Sequence, residues 1–155
     1  MAQRLLTWIS GGLLLFTWLM VIQSYRILPA TVPIHFNAHG VADKWGPKEG
    51  IWILPILSSA VFALFTLLHR YADHFPRKSG AANAAEGLAL VRALFLQLRF
   101  AVVLVMAAGT YYSLSAAFGK TGAEPAALIP FIILMMLAPI LLFLFRILRV
   151  RRARA

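Results

Sequence analysis

Four long stretches without a charged residue constrain this chain more than any other feature of its sequence. They cover residues 5–25, 51–68, 100–119 and 125–145. In a helix that rises about 1.5 Å per residue, about 20 residues cover the roughly 30 Å hydrocarbon core of a bilayer. Hydrophobic residues make up 61% of the chain and charged residues 13%, and four such stretches in 155 residues leave no room for a separate soluble domain. The sequence therefore predicts a small protein that crosses a membrane four times.

The fold that follows is an all-α polytopic membrane protein, with a single membrane domain over residues 1–155. The predicted helices cover approximately residues 4–25, 51–69, 93–118 and 125–147, and a structured loop joins the first two. The first apolar run is longer than the h-region of a signal peptide, so we expect an uncleaved first helix. The helical pattern that starts at Glu86 predicts either an extension of the third helix or an interfacial segment leading into it.

Basic residues are distributed unequally among the segments that flank the apolar stretches. Of the 15 lysines and arginines, only Arg26, Lys44, Lys48 and Lys120 lie in the first and third connecting loops. Cytoplasmic loops of membrane proteins carry the excess of such residues. We therefore predict that both termini are cytoplasmic (N-in/C-in) and that the loop between the first two helices faces outward. The net charge of +10 is then expected to meet anionic lipid headgroups rather than nucleic acid.

Polar residues and prolines near the other stretches carry weaker signals. Arg99 lies at the predicted membrane edge, where its side chain can snorkel to the interface. Pro130 and Pro139 lie inside the predicted fourth helix and each removes a backbone hydrogen bond, so we expect bends there, with a gating hinge as the alternative. His69 and Asp73 are four residues apart and are expected to form an exposed polar pair.

The outward loop over residues 28–50 holds most of the groups able to do chemistry or specific recognition. Residues 32–37 suit a short extended segment, because Pro33 biases the residue before it toward an extended conformation. Residues 37–40 are typical of a turn, in which Gly40 permits a positive φ. Residues 43–47 predict a second turn that leaves Trp45 free to insert at the interface. We expect this loop to pack on the outer ends of the helices.

Two histidines give the loop a candidate metal site. His35 and His39 share a face whether the segment is helical or extended, and the turn at Gly40 can bring Asp43 to the same side. Two imidazoles and a carboxylate suit zinc or another divalent metal. The favoured interpretation is structural, with His35 and Asn37 bonding the loop backbone and Asp43 capping a turn. A pH sensor built on the imidazoles is a third interpretation, and no cofactor is expected.

Part of this loop carries a family pattern. The pattern consists of residues 28–29, 32–37, Gly40, Asp43, 45–46 and Lys48, within a region of about 12–60. It resembles the domain of unknown function 1648 (DUF1648), a bacterial membrane domain also found in SdpI-type immunity proteins. The resemblance implies a multi-pass protein of the bacterial plasma (inner) membrane, with Pro33, His35, Asn37, Gly40 and Asp43 as family-defining positions. It implies no activity, because the family has none agreed.

Three functions follow from these observations. The leading hypothesis is a non-enzymatic membrane protein whose extracytoplasmic loop recognises a protein partner, a peptide or a lipid. Its recognition residues would be Pro33, His35, Asn37, Gly40, Asp43 and Trp45. An SdpI-like role in toxin immunity or envelope stress is the alternative, and a metal-dependent membrane enzyme using His35, His39 and Asp43 is the second. The expected partners are the lipid bilayer, an extracytoplasmic protein or peptide and a second copy of the chain, but no nucleic acid.

Overall fold

The structure is a computed structural model that describes residues 1–37, 39–74, 81–120 and 128–152. Its four α-helices are α1 (Ala2–Tyr25), α2 (Ile53–Arg70), α3 (Ala81–Ala117) and α4 (Leu128–Arg152). Between α1 and α2 lie the strands β1 (Thr31–Phe36) and β2 (Ala42–Pro47), followed by a 3-10 helix, Lys48–Trp52. A second 3-10 helix, Ala72–His74, follows α2. All four of these α-helices are long and apolar enough to cross a membrane, as the four apolar stretches predict.

Helix α3 is the centre of the bundle. It packs against α1, α2 and α4, and it also contacts β1. Most side chains of α4 away from α3 are exposed and apolar, as expected for a surface that meets lipid. We call the end of the bundle where α1 ends and α2 begins the hairpin end. The opposite end, where α1 begins and α2 ends, is the arginine end.

Two helices differ in detail from their sequence-based predictions. Helix α3 begins at Ala81 rather than near residue 93, so the pattern from Glu86 belongs to this helix and is not a separate interfacial segment. Helix α4 is described from Leu128, so Pro130 lies in its first described turn. Pro139 lies inside α4. The predicted start of this helix at residue 125 lies outside the described residues.

The all-α prediction is wrong for the loop between α1 and α2, because this loop is a β-hairpin over residues 31–47. Strands β1 and β2 pair antiparallel, with Thr31 opposite Pro47 and Phe36 opposite Ala42. The second turn predicted at residues 43–47 is therefore a strand. Its Asp, Gly and Pro favour a turn locally, but pairing with β1 satisfies the backbone hydrogen bonds of the segment, and that non-local gain prevails.

A buried cluster anchors the hairpin to the helices. It consists of Val21, Leu28, Val32, Ile51 and Leu114, which come from α1, β1, the connecting segments and α3. The Trp52 ring lies 5.2 Å from the Tyr25 ring and 6.0 Å from the Trp18 ring, centroid to centroid, and it packs against the same cluster. The hairpin is therefore a fixed part of the bundle rather than a free loop.

At the arginine end, Arg99 points inward, so the snorkelling prediction is wrong. Its side chain donates hydrogen bonds to the hydroxyl oxygens of Thr66 and Thr7, both at 2.9 Å, and Arg99 is only 2% exposed. The guanidinium carbon also lies 4.6 Å from the centroid of the Phe62 ring. The side chain turns inward because α1 and α2 present hydroxyl acceptors to it at the same depth.

The expected pair of His69 and Asp73 does not form, because both residues bind Arg92 of α3. The Nδ1–H of His69 donates to the carbonyl oxygen of Arg92 at 3.2 Å. The guanidinium of Arg92 donates to a carboxylate oxygen of Asp73 at 2.6 Å. These contacts tie the end of α2 to the first half of α3.

Candidate functional site at the hairpin end

Asn37 organises the turn of the hairpin. Its side-chain oxygen accepts the N–H of His39 at 2.9 Å and that of Val41 at 3.1 Å. Its own N–H donates to the carbonyl of Val41 at 2.9 Å, and its carbonyl accepts the N–H of Gly40 at 2.8 Å. Gly40 has a φ of 72°, a left-handed conformation that favours glycine. The predicted turn at residues 37–40 and the backbone bonding by Asn37 are both confirmed.

Two irregularities in the strand pairing bring His35 and Asp43 together. His35 lies opposite Lys44, but Phe36 lies opposite Ala42, so Asp43 is an extra residue on β2. Such bulges redirect side chains. His35 Nδ1 and Asp43 Oδ1 lie 2.5 Å apart. His35 therefore bonds the Asp43 carboxylate rather than the backbone, and Asp43 does not cap a turn, which corrects both structural expectations.

The hydrogen bond from the His35 side chain lowers the pKa of Asp43 from its usual value of 3.8. Asp43 is therefore ionised at neutral pH, and its carboxylate accepts a hydrogen bond from the Nδ1–H of the imidazole. The side chains of His35 and Asp43 remain 56% and 39% exposed. This arrangement leaves Nε2 as the ring nitrogen available to a ligand.

The third member of the candidate metal site does not join this pair. Within the ranges that the structure describes, no three His, Cys, Asp or Glu residues lie close enough to hold a metal ion. The set of His35, His39 and Asp43 is therefore not assembled. The backbone of His39 is used in the turn, where its N–H binds Asn37.

A pocket of about 390 Å³ lies beneath the hairpin. The hairpin covers it with residues 33–37 and Gly40. Its other walls are Gly50 and Ile51 of the first 3-10 helix, Ile53 and Leu54 of α2, Val105, Met106, Gly109 and Ser113 of α3, and Ile132 of α4. Most of this lining is apolar, and the polar side chains among it are those of His35, Asn37 and Ser113. The pocket is thus an apolar cavity with polar groups concentrated near the hairpin.

Ile34 reaches the pocket because β2 carries a glycine beneath it. Ile34 is the extra residue of β1 at the other pairing irregularity, between Pro33 and His35. A Cβ atom at Gly46 would lie only 3.0 Å from a methyl carbon of Ile34. Gly46 therefore permits the close approach that folds this side chain over β2 at the pocket wall.

The six predicted recognition residues take different positions. Four of them line the pocket, namely Pro33, His35, Asn37 and Gly40. Asp43 does not line it but is bonded to His35, which does. Trp45 is exposed on β2 and does not line the pocket. The walls from α3 and α4 were missed, because their apolar residues resemble those of any spanning helix. Gly109, a poor helix former inside a span, was the one available signal.

The hairpin lies in a region that matches a family model. Residues 12–58 match the model of the family described as Domain of unknown function (DUF1648). An uncharacterized protein of Archaeoglobus fulgidus is 40% identical over 62 residues, which cover 35% of this chain and 34% of that protein. The chain thus matches about a third of the length of that relative, and no solved structure matches it. Residues 12–58, which include the whole hairpin and its His35–Asp43 pair, are therefore similar to the DUF1648 family.

Proposed function

We propose that this protein is a non-enzymatic component of the bacterial plasma membrane that binds a ligand in the pocket beneath its hairpin, on the extracytoplasmic side. The pocket is the observation that carries the proposal. Its volume of about 390 Å³ falls within the range of small-molecule sites, and its lining is mostly apolar with a few placed polar groups, as such sites usually are.

The hairpin is built to hold its polar groups in place. Val32 is fully buried in the anchoring cluster, and Asn37 fixes the turn through four hydrogen bonds. His35 is oriented by Asp43. Because these groups are ordered before a ligand arrives, less conformational entropy is lost on binding.

The chemistry of the His35–Asp43 pair favours recognition over catalysis. In the described part of the chain, His35 is bonded to Asp43 and to no serine or threonine hydroxyl that it could activate. Among the residues that the structure describes, no third metal ligand accompanies the pair. The carboxylate therefore fixes the orientation of an imidazole that can exchange a hydrogen bond with the polar part of a ligand.

The unequal distribution of basic residues supports the proposed orientation. The arginine end carries Arg70, Arg92 and Arg146 among others, whereas the hairpin end carries few basic residues. By the positive-inside rule, the end with more basic residues, here the arginine end, faces the cytoplasm. The pocket then opens near the outer surface of the membrane.

Cysteine labelling tests the orientation, since the chain has no cysteine of its own. His39→Cys places a thiol at the hairpin end, and His74→Cys places the matched control thiol at the arginine end. With a membrane-impermeant maleimide on intact cells, we expect labelling at position 39, and at position 74 only after permeabilisation. The opposite pattern would overturn the outward placement of the pocket.

Native mass spectrometry of the purified protein tests ligand binding. We expect wild type to retain a small molecule that His35→Ala and Asp43→Asn lose. Lys44→Ala is the control, because Lys44 lies opposite His35 in the sheet but does not line the pocket. Equal occupancy in wild type, His35→Ala and Asp43→Asn would contradict the proposed role of the pair.

A further inference from the structure

We infer that the ligand of this pocket is a membrane lipid, which lays one acyl chain along α3 and keeps its headgroup at the hairpin. The inference rests on the proposed function and adds the chemical class of the ligand and the side from which it enters. Three features of the pocket carry it: depth, lateral access and scarcity of polar groups.

The pocket extends along the helix axis rather than across the bundle. Its lining on α3 runs from Ser113, near the hairpin end, to Val105. From residue 105 to residue 113 the helix rises by eight steps, about 12 Å at 1.5 Å per residue, while one leaflet contributes about 15 Å to the hydrocarbon core. The cavity therefore runs parallel to neighbouring acyl chains through most of one leaflet, with its polar end where a headgroup lies.

The side of the pocket is accessible from the bilayer. Helices α2 and α4 both pack on α3, but among the described residues they make no extensive contact with each other. Both nevertheless line the pocket, so a groove floored by α3 separates them. Ile53 lines this groove and is 62% exposed. A lipid can enter sideways without leaving the membrane.

The scarcity of polar groups favours a lipid over a peptide. A peptide in the groove would bury backbone N–H and C=O groups, and each such group without a partner costs free energy. At the deep end, Val105 and Met106 offer no side-chain hydrogen-bond donor and only a weak acceptor. An acyl chain has no polar group to satisfy there. Its headgroup can still meet His35 and Asn37 at the hairpin.

Two glycines provide a matched test. Outside its own stretch of helix, no atom lies within 4 Å of a Cβ built at Gly109, which lines the pocket, so a side chain introduced there starts in open space beside the cavity. Gly12 on α1 also has open space around its Cβ position, but it does not line the pocket. Gly109→Leu and Gly12→Leu make the same change in a spanning helix, and only the first fills the cavity.

The experiment is photo-crosslinking of the full chain in vesicles of phosphatidylethanolamine and phosphatidylglycerol. The probe is a phosphatidylglycerol with a diazirine in one acyl chain, and crosslinked residues are mapped by mass spectrometry. In wild type and Gly12→Leu, we expect labelling of residues 105–113 above that of the exposed α4 residue Leu141. In Gly109→Leu, we expect labelling of residues 105–113 to fall to the level of Leu141, which itself stays unchanged.

Equal labelling of residues 105–113 in Gly109→Leu and wild type would overturn the lipid inference. So would the absence of pocket labelling in every variant. If the pocket is not labelled by the lipid, but wild type retains a co-purified peptide that His35→Ala loses, the ligand is a peptide and the proposed function survives. If no retained molecule depends on His35 or on Gly109, both proposals fail.

Discussion

The two ends of the bundle differ in the burial of their polar groups. At the arginine end, a guanidinium is enclosed by three helices and bonded to two threonine hydroxyls. At the hairpin end, the His35–Asp43 pair is held by strand geometry and stays open to its surroundings. A buried charge destabilises the fold if its partners are removed, whereas an exposed pair contributes little to stability. The exposed pair is therefore free to take part in the proposed ligand binding, whereas the hydrogen bonds of Arg99 join α3 to α1 and α2.

The threonines that hold Arg99 also bond their own helices. The Thr7 hydroxyl donates to the carbonyl of Gln3 at 3.0 Å, and the Thr66 hydroxyl to that of Phe62 at 2.6 Å. Their protons are thus used locally and their lone pairs accept from the guanidinium. Nε of Arg99 is buried without a partner among the described residues. The guanidinium therefore depends strongly on these two acceptors.

The largest effect is expected when the acceptors are removed and the charge is kept. Thr7→Val combined with Thr66→Val should lower the free energy of unfolding by about 3–5 kcal/mol, because Arg99 is left buried without an acceptor. Adding Arg99→Met to this background should recover much of the loss. Chemical unfolding in detergent measures both changes, with Thr17→Val, a buried threonine bonded only within α1, as the control. A double variant as stable as this control would contradict the role of Arg99.

The next effect concerns the attachment of the hairpin. Val32→Ala removes two methyl groups from the buried cluster and should cost about 2 kcal/mol. Val41→Ala, at an exposed position of the same hairpin, should be close to neutral. The same unfolding measurement compares the two variants. If they are equally stable, the hairpin is not anchored through Val32.

A smaller effect is expected at the turn. Gly40→Ala forces a Cβ into the left-handed region and should cost about 1–2 kcal/mol. Gly87→Ala, in an exposed and unobstructed helical position, should instead stabilise α3 by up to about 1 kcal/mol. Thermal unfolding of the two variants gives the signs. Stabilisation by Gly40→Ala would show that the turn differs from the one described.

The smallest effect on stability is expected from protonation of Asp43, which changes only its contact with His35. The pKa of Asp43 is lowered in the folded protein, so its bond to His35 stabilises the fold fully at pH values above 3.8, the usual pKa. This stabilisation is lost as the pH falls through the lowered pKa. His35→Ala should raise the pKa of Asp43 back toward its usual range. Carbon-13 NMR of the labelled carboxyl measures this shift. Lys44→Ala should raise the pKa less, since the charge of Lys44 is the least of the causes, and a larger rise there would contradict the assignment.

The sequence predicted what depends on local composition. Four helices follow from apolar stretches long enough to cross a bilayer, and the turn at Asn37 and Gly40 follows from residues that adopt that backbone readily. The strand at residues 42–47 did not follow, because its pairing with β1 is non-local and its own residues favour a turn. The bulges that join His35 to Asp43 depend on the same pairing.

Contacts between distant segments account for the remaining differences. Arg99 turns inward because of threonines at positions 7 and 66, and no local pattern connects these residues. The pocket needs α3 and α4 beside the hairpin, and their wall residues are as apolar as those that face lipid. Helix periodicity alone does not distinguish a wall facing a cavity from one facing the bilayer.

Lipid-dependent stability of the glycine variants tests the proposed binding of a lipid in the pocket most directly. A ligand at 100 times its dissociation constant stabilises the folded state by about 2.7 kcal/mol. Phosphatidylglycerol added to detergent-solubilised protein should therefore raise the Tm of wild type and Gly12→Leu by several degrees. The Tm of Gly109→Leu should stay unchanged, because leucine occupies the cavity. An equal rise in all three proteins would contradict lipid binding beneath the hairpin.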